Sequence, residues 1–188
     1  YDEMQNRDPR LTQTVVGPGY MRINSDKVES PNFSSSTTGY QIIKWVTDAS
    51  GDGYMGSSND YILFRAAEVY LNYAEAKYEL TGSLTIAELD KSINLIRDRV
   101  GMPHLTTNPD ADPNAVNYGY TVAPLLYEIR RERRIELVGE GFRFNDIIRW
   151  KAGKLIEGVK TIRGMKLTDE LRSQYADPSS LNNIAVDD

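Results

Sequence analysis

The sequence contains no cysteine and a single histidine among its 188 residues. Without cysteine there is no disulfide scaffold, no thiolate zinc site, no iron–sulfur cluster and no cysteine nucleophile. One histidine excludes two-histidine metal motifs and a Glu-x-x-His di-iron pair. A basic surplus is also missing. The chain carries 27 acidic and 22 basic side chains, a formal charge of −5, and an isoelectric point near 5.0. Phosphate recognition needs a clustered basic face, so a general nucleic-acid binder is not expected. No apolar run approaches the roughly 20 residues of a membrane-spanning helix, and mean hydropathy is −0.50. Phenylalanine is scarce at four, whereas tyrosine reaches 12 and tryptophan two. The length suits one compact domain or part of a larger one.

Residues 1–59 are loop-rich. Gly17-Pro18-Gly19, Pro31, the stretch Ser34 to Gly39, Gly51, Gly53 and Gly56 punctuate them. Leu11 to Val16 and Tyr40 to Thr47 contain β-formers and are expected as short strands. From residue 60 the composition changes. Asn59 and Asp60 can cap a helix rich in Ala, Leu, Glu and Lys that reaches Leu80, with Gly82 placed to end it in the left-handed conformation. Thr85 and Glu88 form a capping box, and Leu84 and Leu89 sit where a hydrophobic staple would close. Ile86, Leu89, Ile93, Ile96 and Val100 then make one apolar face, which predicts a single helix stopped by Gly101 and Pro103.

Residues 102–122 are a loop, long against the usual ~4–6 residues, and therefore either functional or packed as a compact excursion. Pro124 at a first helical position starts a helix to about Val138, and a shorter one is expected from Phe142 to Lys151. The fold class is thus mainly α: two tetratricopeptide-like αα-hairpins over 60–153, irregular loop-rich segments, a few short strands, and an irregular tail over 154–188. About three repeats are needed for stacking alone to be stable, so other sequence must cover the exposed faces.

Glu128, Glu132, Glu136 and Glu140 stand four apart, a carboxylate stripe that repels itself unless cations lie between its members. Arg131 and Arg133 can reach a Glu at i±3, and Arg97, Arg99 and Arg143 are candidates from adjoining helices. An inter-helix lattice that fixes register is the favoured reading over paired catalytic carboxylates. An acid catalyst needs a raised pKa, and residues four apart on one helix do not face each other across a cleft. Phosphate binding by Arg130 to Arg134 is weakened by the interleaved acids.

Tyr61 to Ala76 (YILFRAAEVYLNYAEA), Ile93 to Arg99 (INLIRDR), Glu132 to Arg143 (ERRIELVGEGFR) and Asn145 to Trp150 (NDIIRW) together resemble the signature blocks of the SusD/RagB family. Asn6 to Arg10, Gly39 to Lys44 and Arg163-Gly164-Met165 extend the similarity in the same order. The resemblance implies a surface-exposed lipoprotein of the Bacteroidetes outer membrane, α-helical with tetratricopeptide-type repeats and no enzymatic activity. It further implies glycan binding for nutrient uptake and, as partner, a TonB-dependent (SusC-like) transporter on which the protein acts as a lid. On this resemblance residues 1–188 are expected to be the C-terminal portion of such a protein. Membrane association would then come only through a lipid anchor that this chain does not carry. The family's glycan contacts do not lie in the signature blocks, so no binding residue carries over.

Sugar recognition needs rigid aromatic faces beside planar polar groups. The loop candidates are Tyr118 and Tyr120, expected to be exposed, with Asn117 and Asn114 beside them, then Trp45 and Tyr54; Tyr20 and Tyr40 complete the set. The competing reading for each is an ordinary loop aromatic lying over a helix end. Trp150 is read as core, and Tyr70, Tyr73 and Tyr78 as inter-helix packing. Asp48, Ser50 and Asp52, followed by Gly53, place oxygens at positions 1, 3 and 5 of a calcium-type loop, but position 12 is Asn59 instead of a bidentate Glu, and a Gly-rich turn competes. No other cofactor is expected. His104 has no partner in the pattern and is read as incidental. The alternative function is a tetratricopeptide scaffold that binds only protein.

Overall fold

The computed structural model of the chain describes residues 2–33 and 36–157, with positions 164, 165, 168, 169 and 173. Ser34 and most of the expected tail lie outside the described residues. The fold is mainly α. Its helices are α1 (Arg10–Thr14), α2 (Ala66–Thr81), α3 (Ile86–Asp90), α4 (Ile93–Arg99), α5 (Pro124–Glu136) and α6 (Arg143–Arg149). The chain forms two compact units. One comprises Tyr1–Gln5, Thr12–Ser57 and Gly158–Asp188, the other Asn6–Leu11 and Ser58–Glu157.

The second unit holds the main core. On α2, Ala67, Leu71 and Ala74 fall on one face and are buried. They meet Leu89, Ile93 and Ile96 from α3 and α4, and Leu125 and Ile129 from α5. Tyr70 and Tyr78 pack against this cluster, while Tyr73 stays more exposed under the Lys91 ammonium. α2 packs on both α4 and α5. Gly82 ends α2 at φ +73°, where its N–H reaches the Tyr78 carbonyl. The capping box forms as expected: Glu88 N–H donates to Thr85 Oγ1, and Thr85 N–H donates to the Glu88 carboxylate. Leu84 and Leu89 are both buried.

Three boundaries differ from the sequence expectation. α2 starts at Ala66, not after Asp60, because Arg65 is extended at φ −141° and ψ 153°. The aromatic and β-branched run Tyr61 to Phe64 prefers extended backbone, and the Arg65 guanidinium is held by Glu136 and Glu140. The helix expected from Ile86 to Val100 divides into α3 and α4. Ser92, at φ −136° and ψ −98°, donates its hydroxyl to the Glu88 carbonyl and breaks the ladder. Ile86, at the start of α3, is exposed instead of lying on the buried face. α6 is shorter than expected, at Arg143–Arg149.

The expected short strands do not form ladders among the described residues. Arg10–Thr14 is helical instead, since Asp8 accepts from the Arg10 and Leu11 N–H groups. The two segments still meet. Val15 bridges Ile42 antiparallel, flanked by Val16 N–H to Gln41 O and Ile43 N–H to Thr14 O. The second segment stops pairing where Val46 N–H turns back to the Ile43 carbonyl. A further isolated bridge joins Met21 and Val28.

Candidate functional site

The carboxylate stripe is buried in the second unit and its charges are matched from four directions. Glu132 Oε1 accepts from Arg10 Nη1 at 2.6 Å and its Oε2 from Arg97 Nε at 2.9 Å. Glu136 receives Arg10 at 2.9 Å, Arg65 at 2.6 Å and Arg99 at 2.7 Å. Glu128 lies 3.2 Å from Arg131 and 3.5 Å from Arg97. Burial works against the charge on Arg10, but Asp8, Glu132 and Glu136 outweigh it and push its pKa up. The Glu132 and Glu136 oxygens are occupied as acceptors, and neither carboxylate faces solvent. The arrangement is the expected register-fixing lattice, because buried charges persist only when paired and hydrogen-bonded.

A second cluster joins the end of the long loop to α5, α6 and α2. Tyr118 is 4% exposed, and its ring centroid stands 6.1 Å from those of Tyr120, Tyr127 and Trp150. The Arg130 guanidinium lies 4.8 Å from the Trp150 centroid and 5.5 Å from that of Tyr118. Glu75, buried on α2, accepts from Trp150 Nε1 and from both terminal nitrogens of Arg149 at 2.7 and 2.6 Å. The Tyr120 hydroxyl donates to the Trp150 carbonyl and accepts from Arg130 Nη1 at 2.9 Å. Arg133 Nε is 2.8 Å from Asp146 Oδ2, and its Nη1 is 2.8 Å from Asn72 Oδ1. Gly119 at φ +89° makes the turn between the two tyrosines, with its N–H on Asn117 Oδ1 at 2.7 Å.

The long loop is pinned along its length. Leu105 is buried, and its N–H donates to Asn94 Oδ1 at 2.7 Å. Val116 N–H donates to the Tyr127 hydroxyl. With α4 and α5 the loop walls an open cleft of about 370 Å³, lined by Arg97, His104, Asp110, Asp112, Glu128 and Arg131 among others. His104, expected to lack a partner, has one: its Nε2 lies 2.6 Å from Asp98 Oδ1. No tyrosine, tryptophan or phenylalanine lines this cleft.

In the first unit Trp45 is 58% exposed, although its backbone is left-handed at φ +70°. The Lys44 ammonium stands 5.8 Å from its ring centroid. Tyr54 is 98% exposed. The calcium-type loop has its donors engaged. Arg22 places Nη1 and Nη2 on the two oxygens of Asp52, and Nη2 also reaches the Asp48 carbonyl. Asp48 Oδ1 accepts from the Ser50 N–H and hydroxyl, and Asn24 donates to Oδ2. These bonds from Ser50 and Asn24 hold the Asp48 carboxyl below the usual range, and those from Arg22 do the same for Asp52. A cation would have to displace Arg22. Among the described residues, no group of three or more acids or histidines is placed to hold a metal.

The SusD family profile matches residues 1–185. The chain belongs to the SusD family. It is also similar to a SusD-like protein of Formosa agariphila, 32% identical over 124 residues that cover 65% of this chain and 21% of that protein. The chain therefore spans about a fifth of the length of this relative. No solved structure matches it.

Within this SusD-family chain the sugar candidates separate into two kinds. Tyr118 does not offer a ring to solvent. The expectation of exposure fails because the Gly119 turn folds the ring onto Tyr127 and Trp150. Tyr120 keeps a partly exposed ring but has its hydroxyl committed, and Asn117 spends its carbonyl oxygen on the turn. Trp45 and Tyr54 are exposed. Trp150 is buried, as expected. Sequence reasoning missed Arg10 and Arg65, which reach the stripe from across the chain and have no periodic signal. It also missed Glu75, whose only mark was an acid on a helix face with Ala67, Leu71 and Ala74.

Proposed function

We propose that the protein is a non-catalytic glycan-binding component of a surface nutrient-uptake apparatus, held at the outer membrane and working with a TonB-dependent transporter. Membership of the SusD family over residues 1–185 carries this reading. Among the described residues no helix is long and apolar enough to cross a membrane. Trp45 is the residue that the geometry supports best as a saccharide platform. A bulky side chain in left-handed backbone is an outlier, and such strain persists at sites that use it. Its exposed indole offers a rigid face to the apolar side of a sugar ring. Tyr54 supplies a second exposed ring in the same unit.

Isothermal titration of the full-length protein against a panel of polysaccharides tests the reading. Binding of at least one is expected, and Trp45→Ala is expected to weaken it. If no polysaccharide binds, the glycan reading fails.

A second reading, docking on a protein partner, has its own observation. Tyr61, Leu63 and Phe64 lie just ahead of α2, outside any helix, with their side chains largely exposed. Replacing the three with Ser should weaken a complex with the transporter while leaving glycan affinity intact.

A further inference from the structure

The cleft between the long loop, α4 and α5 has a preformed wall. The rings of Pro109 and Pro113 fix their own φ angles. Arg97 Nη1 donates to the Pro103 carbonyl at 3.1 Å, His104 is held by Asp98, and Leu105 is tied to Asn94. Asp112 makes a turn at the far end: its Oδ1 accepts from the Asn114 N–H at 2.8 Å and its carbonyl from the Ala115 N–H at 3.0 Å. A site held in this way needs little ordering when a ligand enters. Its volume of about 370 Å³ falls in the range of small-molecule sites, ~300–1,000 Å³.

The lining keeps unspent hydrogen-bonding capacity of both kinds. The Glu128 side chain is only 10% exposed, and its ionic contacts, 3.5 Å to Arg97 and 3.2 Å to Arg131, both fall on Oε2. Oε1 takes no protein donor among the described residues. An acceptor left unpaired on a nearly buried carboxylate is uncommon, and Glu128 lines the cleft. Arg131 is half-buried and makes one hydrogen bond, from Nη1 to Asp112 Oδ2 at 3.4 Å, so it keeps spare N–H donors. The Asp110 carboxylate is exposed and has no partner among the described residues. Beside these groups the lining is apolar, with Pro109, Ala111 and Pro113.

A ligand for this cleft must donate to Glu128 and Asp110 and accept from Arg131. A hydroxyl does both. An ammonium only donates. A carboxylate only accepts, and it would meet Asp110, Asp112 and Glu128 together. We propose that the cleft is a subsite for a neutral saccharide unit. Its vicinal hydroxyls bridge Arg131 to Glu128 and Asp110, and the apolar side of its ring lies against Pro109 and Pro113. The proposal rests on the glycan-binding reading above and adds a site in the second unit that needs no aromatic platform. Asp110, Glu128 and Arg131 all lie outside the signature blocks.

The test is calorimetric titration of the full-length protein with cellotetraose, laminaritetraose, xylotetraose and mannotetraose, and with tetragalacturonate as the acidic comparison. At least one neutral oligosaccharide should bind more tightly than tetragalacturonate. Hydrogen exchange of that complex should show new protection over residues 104–113. Asp110→Ala, at an exposed position without a partner, should weaken binding by about tenfold. Arg131→Gln should do the same, provided its circular dichroism is native. Affinity that ignores Asp110→Ala and Arg131→Gln overturns the proposal, as does protection confined to other segments. Preference for tetragalacturonate overturns the neutral assignment. If polysaccharides bind but none of the neutral oligosaccharides does, the glycan reading stands and only the cleft proposal falls. If no saccharide of any kind binds, both fall.

Discussion

Arg10 and Glu132 are 122 positions apart and meet at 2.6 Å in the interior of the second unit. The same Arg10 nitrogen reaches Glu136 one helical turn on, and its other nitrogens are held by Asp8. One side chain thus links the start of the chain to two members of the α5 stripe. Removing it takes one hydrogen bond from each of two buried carboxylates, while Arg97 still holds Glu132 and Arg65 and Arg99 still hold Glu136. Arg10→Ala is therefore expected to lower stability by about 1–3 kcal/mol, the cost of unmet buried acceptors whose charge is still matched. Urea denaturation of the variant and the parent measures this.

Asp8 gives the lattice a pH dependence of known sign. Burial acts to raise its carboxyl, but the hydrogen bonds from Arg10 outweigh that and bring it below the ordinary value of 3.8. A carboxyl depressed in the folded state stabilises above the unfolded pKa and loses that contribution as pH falls through the folded one. Melting temperature should therefore drop as pH is taken below 3.8. In Asp8→Asn the melting temperature should be lower at neutral pH and should change less over this acid range.

How much of this was legible depended on whether the partners were local. The stripe of Glu128, Glu132, Glu136 and Glu140 is visible as a period, and a repelling stripe demands cations. Arg97, Arg99 and Arg131 were within reach of that argument and do pair with it. Arg133 was expected to turn to a neighbouring Glu and instead takes Asp146, since α6 brings a carboxylate to its side of α5. Arg143 was expected to join the stripe and remains outside it. Arg10 and Arg65 could not be inferred, because only tertiary structure brings their segments to α5. Capping followed the same rule. Thr85 and Glu88 form a closed local pair that the sequence announces. The Asn59 and Asp60 signal was overridden by the bonds that hold Arg65 extended.

Trp150 shows how a residue can be read correctly as core while its polar duty escapes. Its indole N–H donates to Glu75, which also holds Arg149. Trp150→Phe keeps an aromatic ring but removes a donor from a buried carboxylate. The expected loss is about 1–3 kcal/mol, the penalty of an unmet buried acceptor together with the smaller ring. Thermal unfolding of the variant measures it, and an unchanged midpoint would show that the indole N–H is dispensable.

The exposed, left-handed Trp45 allows stability and binding to be separated at one position. Alanine and glycine both delete the indole, so both should lose glycan affinity if Trp45 is the platform. They differ in the backbone. At φ +70° a Cβ atom costs about 1–2 kcal/mol, which glycine avoids. Glycine returns about 0.5–1 kcal/mol of this through the greater freedom of its unfolded chain. Trp45→Gly is therefore expected to be more stable than Trp45→Ala by about 1 kcal/mol, with both variants equally poor in glycan titration. Paired denaturation and calorimetry decide it. Equal stability of the two variants would mean that the left-handed backbone at 45 is not held once the indole is gone. Retained affinity in both would remove Trp45 from the binding surface.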